Sequence, residues 1–211
     1  MNNKILPSLF GLLSLLLGGC ATVHQVGSAL DNLAPGQIPP GSGIVLISTG
    51  APKSCISEAA FLSIRSATAQ DTAGPTLSVD GWTMKSDFED HAGKAYAYVM
   101  PAGDYFITPF IANPYVHLYH LARADFSVAA GEVVYLGEYF LPTSCSGISI
   151  VSEIRDKRER DIPLLSQNHP GLANANIVTR LPPLSEYDCS RYPCVQHKLP
   201  DAESSSVSSH Y

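Results

Sequence analysis

Apolar residues in this chain come mostly in short runs of roughly five to eight, set between Gly, Pro and Asp, which is the spacing of strands and turns rather than of long helices. Gly43–Thr49 is a continuous β-branched run of the kind found in a strand buried on both faces, and Gly50-Ala51-Pro52 ends it. Ala59–Ile64 is too short to separate the helical from the strand period and is read as a strand. Ala67–Gly74 is small and polar, a loop; Thr76–Val79 and Trp82–Lys85 follow as short strands about an Asp80-Gly81 turn. Ala95–Met100 alternates small or branched residues with large ones, Pro101-Ala102-Gly103-Asp104 turns the chain, and Tyr105–Thr108 returns, which predicts a β-hairpin. A second hairpin, expected beside the first, uses Ala124–Ala129, an Ala130-Gly131-Glu132 turn and Val133–Phe140. Ile148–Val151 supplies a last strand. Glu153–Arg160 has densely mixed charge and predicts a surface helix limited by Pro163, with a second short helix over Leu172–Leu181. The expected fold is mainly β: a single antiparallel β-sandwich with one or two short C-terminal helices.

One apolar run does not fit this grammar. Ile5–Leu17 follows Lys4 and is broken only by Pro7, Ser8, Gly11 and Ser14 before Gly18-Gly19, the pattern of an export signal. It is shorter than the roughly 20 residues a membrane span requires. Leu17-Gly18-Gly19-Cys20, small residues before a cysteine with Leu three positions ahead, resembles the lipobox of bacterial lipoproteins. The resemblance implies cleavage before Cys20 and lipidation of its thiol and amine, several acyl chains anchoring a protein firmly where one is marginal. Ala21, in place of an inner-membrane retention aspartate, implies the outer membrane, with the face of display left open.

The organisation expected is a signal peptide over 1–19, a lipidated tether over 20–42, a sandwich over 43–154, a helical or irregular extension over 155–194 and a disordered tail over 195–211. The tether is rich in Pro and Gly, and a flexible chain of that length would span roughly 25 Å.

Composition narrows the function. The formal charge of −6, with no Lys/Arg-rich run, argues against nucleic acid and against electrostatic docking on anionic lipid. Of five cysteines, lipidation of Cys20 leaves an even four, Cys55, Cys145, Cys189 and Cys194, in an oxidising compartment. Cys189 and Cys194 flank Ser-Arg-Tyr-Pro and can close a local disulfide, leaving Cys55 with Cys145; sequence permits the other pairings too. No Cys-x-x-Cys is present to support redox chemistry.

The turn at Pro-x-Gly before an aromatic, followed by Ala-Gly-Glu before Val-Val-Tyr-Leu-Gly-Glu, resembles the transthyretin-like β-sandwich lipoproteins of Gram-negative bacteria, in particular those with the domain-of-unknown-function 2846 pattern. The resemblance spans approximately Gly43 to Ile154. It implies a fold and brings no active site, since fold alone does not specify function.

Candidate chemistry is sparse. His117 and His120 form His-x-x-His, which can chelate from a helix or loop but points to opposite faces on a strand. His91 ends the acidic stretch Asp87-Phe88-Glu89-Asp90, which lacks the spacing of a calcium loop. Trp82 reads as a packing residue. There is no Gly-x-Ser-x-Gly elbow, His-Glu-x-x-His, phosphate loop or dinucleotide fingerprint. The sequence therefore predicts a non-enzymatic, membrane-anchored envelope module without a cofactor that contacts another envelope protein or polymer. Two alternatives stand beside it: a small hydrolase using Asp87, Glu89, Asp90 or a histidine, and metal binding through His117 and His120.

Overall fold

The computed structural model describes residues 28–29, 38–53, 60–68, 74–79, 84–111, 120–142 and 151–188. In chain order these form β1 (Ser28–Ala29), β2 (Ser42–Gly50), β3 (Ala60–Ser66), β4 (Thr76–Ser78), β5 (Ala95–Pro101), β6 (Gly103–Ile111), β7 (His120–Val128), β8 (Val133–Phe140), β9 (Glu153–Arg155), α1 (Arg158–Asn168), β10 (Ile177–Thr179) and β11 (Leu184–Asp188). One sheet has the order β1-β5-β2-β8-β10, with β9 also pairing β8; the other runs β11-β7-β6-β3-β4. The second sheet is antiparallel throughout. The first is mixed, because β8 runs parallel to both β2 and β10.

The two sheets form the sandwich that the patterning predicts. Val45, Ile47 and Met100 of the first meet Leu62, Ile64 and Ile107 of the second in one buried cluster. A third layer lies outside the first sheet: Leu165 of α1 and Leu172 of the turn after it cover Ile44, Leu46, Val99 and Tyr135. This explains the continuous apolar run Gly43–Thr49. Alternate side chains of β2 face opposite ways, and here both faces are covered.

Neither predicted hairpin exists. β5 and β6 belong to different sheets, as do β7 and β8, so each turn carries the chain across the sandwich. The start of β2 provides the reason. The Ala102 N–H donates to the Gly41 carbonyl at 2.8 Å and the Gly131 N–H to the Ser42 carbonyl at 2.8 Å, so an N–H at the tip of each turn is satisfied by the chain entering β2 and both turns are held there. Gly43 fits between them because a Cβ there would lie 2.5 Å from the Ala129 carbonyl oxygen. The expectation that the two units are neighbours holds within the second sheet, where β6 pairs β7.

The C-terminal portion is more regular than its sequence reads. Glu153–Arg155 is a strand, and α1 begins only at Arg158. Pro163 does not limit α1 but sits inside it on the exposed side, where the Glu159 carbonyl that loses its helical donor can face water. Leu172–Leu181 is not a helix: the β-branched Ile177-Val178-Thr179 pairs with Val133, Val134 and Tyr135 of β8. β11 likewise extends the second sheet along β7. Met84 and Lys85, expected in a strand, are irregular, and Val151 precedes β9 without belonging to it.

Candidate functional site

The alternation of β2 turns Ile44, Leu46 and Ser48 toward α1, and that of β8 does the same with Val133 and Tyr135. If β8 stayed regular, its next α1-facing residue would be Gly137 and Glu138 would point between the sheets. Instead Gly137 adopts φ +93°, and the register passes from Leu46↔Tyr135 to Ser48↔Glu138, one extra residue on β8. This bulge returns Glu138 to the α1 side while Tyr139 and Leu141 enter the core between the sheets. A Cβ at residue 137 would come within 2.8 Å of the Arg155 carbonyl oxygen, so glycine is required by contact as well as by its backbone angle.

Two other segments complete the cluster. Asp161 and Leu165, one helical turn apart, are the buried face of α1, and Arg160 lies beside them. The loop from Met84 to Lys94 folds around Ser86, whose Oγ accepts the N–H groups of Phe88 at 3.1 Å and Gly93 at 3.2 Å and lies 2.9 Å from the His91 carbonyl oxygen. The Ala51↔Ala92 bridge fastens this loop to the end of β2, which brings His91 over the sheet.

The resulting contacts are dense. Asp161 is fully buried; its Oδ1 accepts Arg160 Nε at 2.7 Å, and its Oδ2 accepts the hydroxyls of Tyr135 at 2.6 Å and of Ser48. The Tyr135 hydroxyl also accepts the Lys157 N–H at 3.2 Å, satisfying a donor at the start of α1 that no side-chain cap reaches. Glu138 is 1% exposed; its Oε1 accepts Arg160 Nη2 at 2.8 Å and lies 2.9 Å from His91 Nε2. The other ring nitrogen of His91 is 2.7 Å from Asp90 Oδ1. Glu138 Oε2 makes no hydrogen bond and lies 4.0 Å from Arg155 Nη1. The rings complete the packing: His91 stacks on Phe88 at 4.7 Å, Arg160 covers Phe88 at 3.7 Å, and Arg155 covers Phe140 at 3.4 Å.

The electrostatics follow from this packing. Burial, reinforced by the hydrogen bond to Asp161 and by its charge, pushes the Tyr135 hydroxyl far above its ordinary value, so it stays a donor. The hydrogen bond with His91 holds Asp90 below the usual carboxylate range. Burial opposes the charge on Arg160, but hydrogen bonds to Asp161 and Glu138 outweigh it and raise its pKa. Chemically the arrangement is a clamp: two carboxylates withdrawn from solvent share one guanidinium, one imidazole and two hydroxyls, and α1 is joined to the sheet by directed bonds.

Of the residues singled out in the sequence, the structure gathers only Asp90 and His91. Asp87 Oδ2 accepts the Ala95 N–H at 3.0 Å, and Glu89 is exposed with its carbonyl accepting Lys53. The backbone of His120 pairs with Asp188 at the start of β7. Cys20, Cys55, Cys145, Cys189, Cys194, Trp82 and His117 lie outside the described residues. Among the described residues, no three His, Cys, Asp or Glu side chains are placed to hold a metal ion, and no helix is long and apolar enough to cross a membrane. Glu138, Arg160, Asp161 and Ser48 escaped sequence reasoning. The available signal was a carboxylate inside the apolar run Val133–Phe140 and another directly before Ile162-Pro163-Leu164-Leu165. The sequence matches no protein-family model and no curated protein.

Proposed function

We propose that this chain is a lipid-anchored β-sandwich of the bacterial outer membrane that works without catalysis, as a binding or structural module toward another envelope protein or a cell-envelope polymer. The observation that carries the reading is Leu17-Gly18-Gly19-Cys20 at the end of the apolar run Ile5–Leu17. The even number of cysteines left after Cys20 supports it. The polar cluster is compatible with it: Glu138 and Asp161, its two most deeply buried acids, are engaged with Arg160, His91, Tyr135 and Ser48. Growth with labelled palmitate tests the anchor. The wild-type chain is expected to carry label and fractionate with the outer membrane, and Cys20→Ser to lose both; an unlabelled wild type rejects the reading. Crosslinking in intact cells then tests the module, a chain that joins no envelope component in any growth condition counting against it.

A further inference from the structure

The stretch between Cys20 and β2 reads as a stalk, yet part of it belongs to the sandwich. β1 pairs antiparallel with β5 on the edge opposite β2, Ser28 facing Val99 and Ala29 facing Tyr98. Ile38, before β2, packs on the cluster beneath α1. The chain between Cys20 and Ser28 is therefore only seven residues long, a reach of at most about 28 Å. Its direction is set as well. In an antiparallel pair with that register, the chain arrives at Ser28 from the side of Met100 and Pro101. That is the end of the sandwich where the chain crosses between the sheets at Pro101–Gly103 and Ala129–Glu132, both tied to the start of β2.

The two ends of the molecule differ in a way that agrees with this direction. At the crossover end Pro40, Gly41, Pro101, Ala102, Ala129 and Ala130 are exposed and uncharged; the exposed charges beside them are Asp104 and Arg180, and Arg180 is neutralised by its pair with Glu132 of the turn. At the far end, around the loop that carries His91, the exposed residues include Lys53, Lys85, Asp87, Glu89 and Asp90. Pressing a surface into the headgroup region strips water from it, and this costs far less for small neutral residues than for ions.

We propose that the lipidated protein stands with its crossover end, Pro101–Asp104 and Ala129–Glu132, against the bilayer surface, and holds the His91 end of the sandwich away from it. The partner of the crossover end is the lipid surface itself, and the end left free for an envelope component is the one that carries the charged loop. This rests on Cys20 being acylated. In the inverted arrangement the seven-residue link would have to double back at Ser28 and run beside the sheet almost fully extended, which removes most of its conformational freedom.

The test uses the full-length acylated chain in phosphatidylethanolamine–phosphatidylglycerol vesicles containing an acceptor-labelled headgroup, with a fluorescent amino acid at position 102 or, separately, at position 89. Palmitate label is read on the same samples. The expected result is labelled protein with energy transfer from position 102 exceeding that from position 89 by about twofold or more, because a nine-residue strand such as β2 separates the ends by about 30 Å. Inserting twenty Gly/Ser residues between Ala21 and Thr22 should shrink the difference. Equal transfer from the two positions in labelled protein, greater transfer from position 89, or a difference untouched by the insertion overturns the orientation and leaves the anchor standing. Absence of label overturns both.

Discussion

Between the sheets, the inner face of the first sheet packs Val45, Ile47, Met100, Val134 and Leu136 against the second, and among the described residues no carboxylate, amine or imidazole is buried there. On its outer face the same strands begin alike, with Ile44, Leu46, Ala97 and Val133, and then change character at Ser48 and Glu138. Among the described residues, Glu138, Asp161 and His91, the buried charged or titratable residues apart from tyrosine, all lie on the α1 side. The contrast separates two ways of holding layers together. Apolar packing is non-directional and tolerates volume-conserving change. A buried ion cluster is satisfied only as a whole, and removing one member leaves its partners buried and unpaired.

The largest effect should therefore come from Asp161→Ala, which strands Arg160 Nε and the hydroxyls of Tyr135 and Ser48. A loss of about 3–5 kcal/mol in denaturant unfolding is expected. Removing the cluster together should cost less: Glu138→Met combined with Arg160→Met and Asp161→Leu is expected to be more stable than Asp161→Ala alone. A triple variant no better than the single one would show that the cluster does not act as a unit. Leu62→Ala tests the other face. It should cost about 2–5 kcal/mol through the cavity it leaves, whereas Leu62→Met, which conserves volume, should cost less than about 1.5 kcal/mol. A methionine variant as damaging as the alanine would mean that the inner core is as position-specific as the ion cluster, and the contrast would fail.

Gly137 is where the two faces are set apart. Without the bulge, β8 would deliver Glu138 to the apolar core and Tyr139 to the α1 side. Gly137→Ala meets both a positive φ and the Arg155 carbonyl oxygen, and should cost about 1–3 kcal/mol. Hydrogen exchange should quicken first along β9 and the start of α1, on the Arg155 and Glu138 side. Uniform acceleration across both sheets would argue that the bulge does not specifically support the clamp.

This position also marks how far the sequence could be read. Strands β2 to β8 were legible because period-two alternation and Gly/Pro punctuation are local, and Gly43–Thr49 disclosed through its continuous apolar character that β2 is covered twice; the short strands β1, β9, β10 and β11 were read as tether, helix or irregular chain, since runs of two to five residues carry too little period to show. Sheet membership was not local: Pro101-Ala102-Gly103 has the composition of a hairpin turn, and it is a crossover because β5 pairs with β2 while β6 pairs with β3 and β7. The face of Glu138 depends on one inserted residue, since a slip of one reverses every later side chain. The clamp was illegible for the same reason, because its members come from β2, β8, α1 and a loop that only the folded topology brings together.

The smallest expected effect lies at the rim, on the Glu132–Arg180 pair joining the turn before β8 to the segment after β10. Arg180 Nη2 donates to Glu132 Oε1 at 2.6 Å, and Glu132 Oε2 accepts the Ala129 N–H at 3.0 Å. The hydrogen bond from Arg180, then that from Ala129, hold the Glu132 carboxyl below its ordinary range. With the folded value depressed, the stabilisation is present above the unfolded carboxylate range and is lost as pH falls through the folded value. Glu132→Gln should thus cost no more than about 1 kcal/mol at neutral pH, as for exposed pairs, and should flatten the stability loss between neutral pH and the acid range. If unfolding midpoints followed across that interval fall equally steeply in variant and wild type, Glu132 contributes nothing to acid sensitivity.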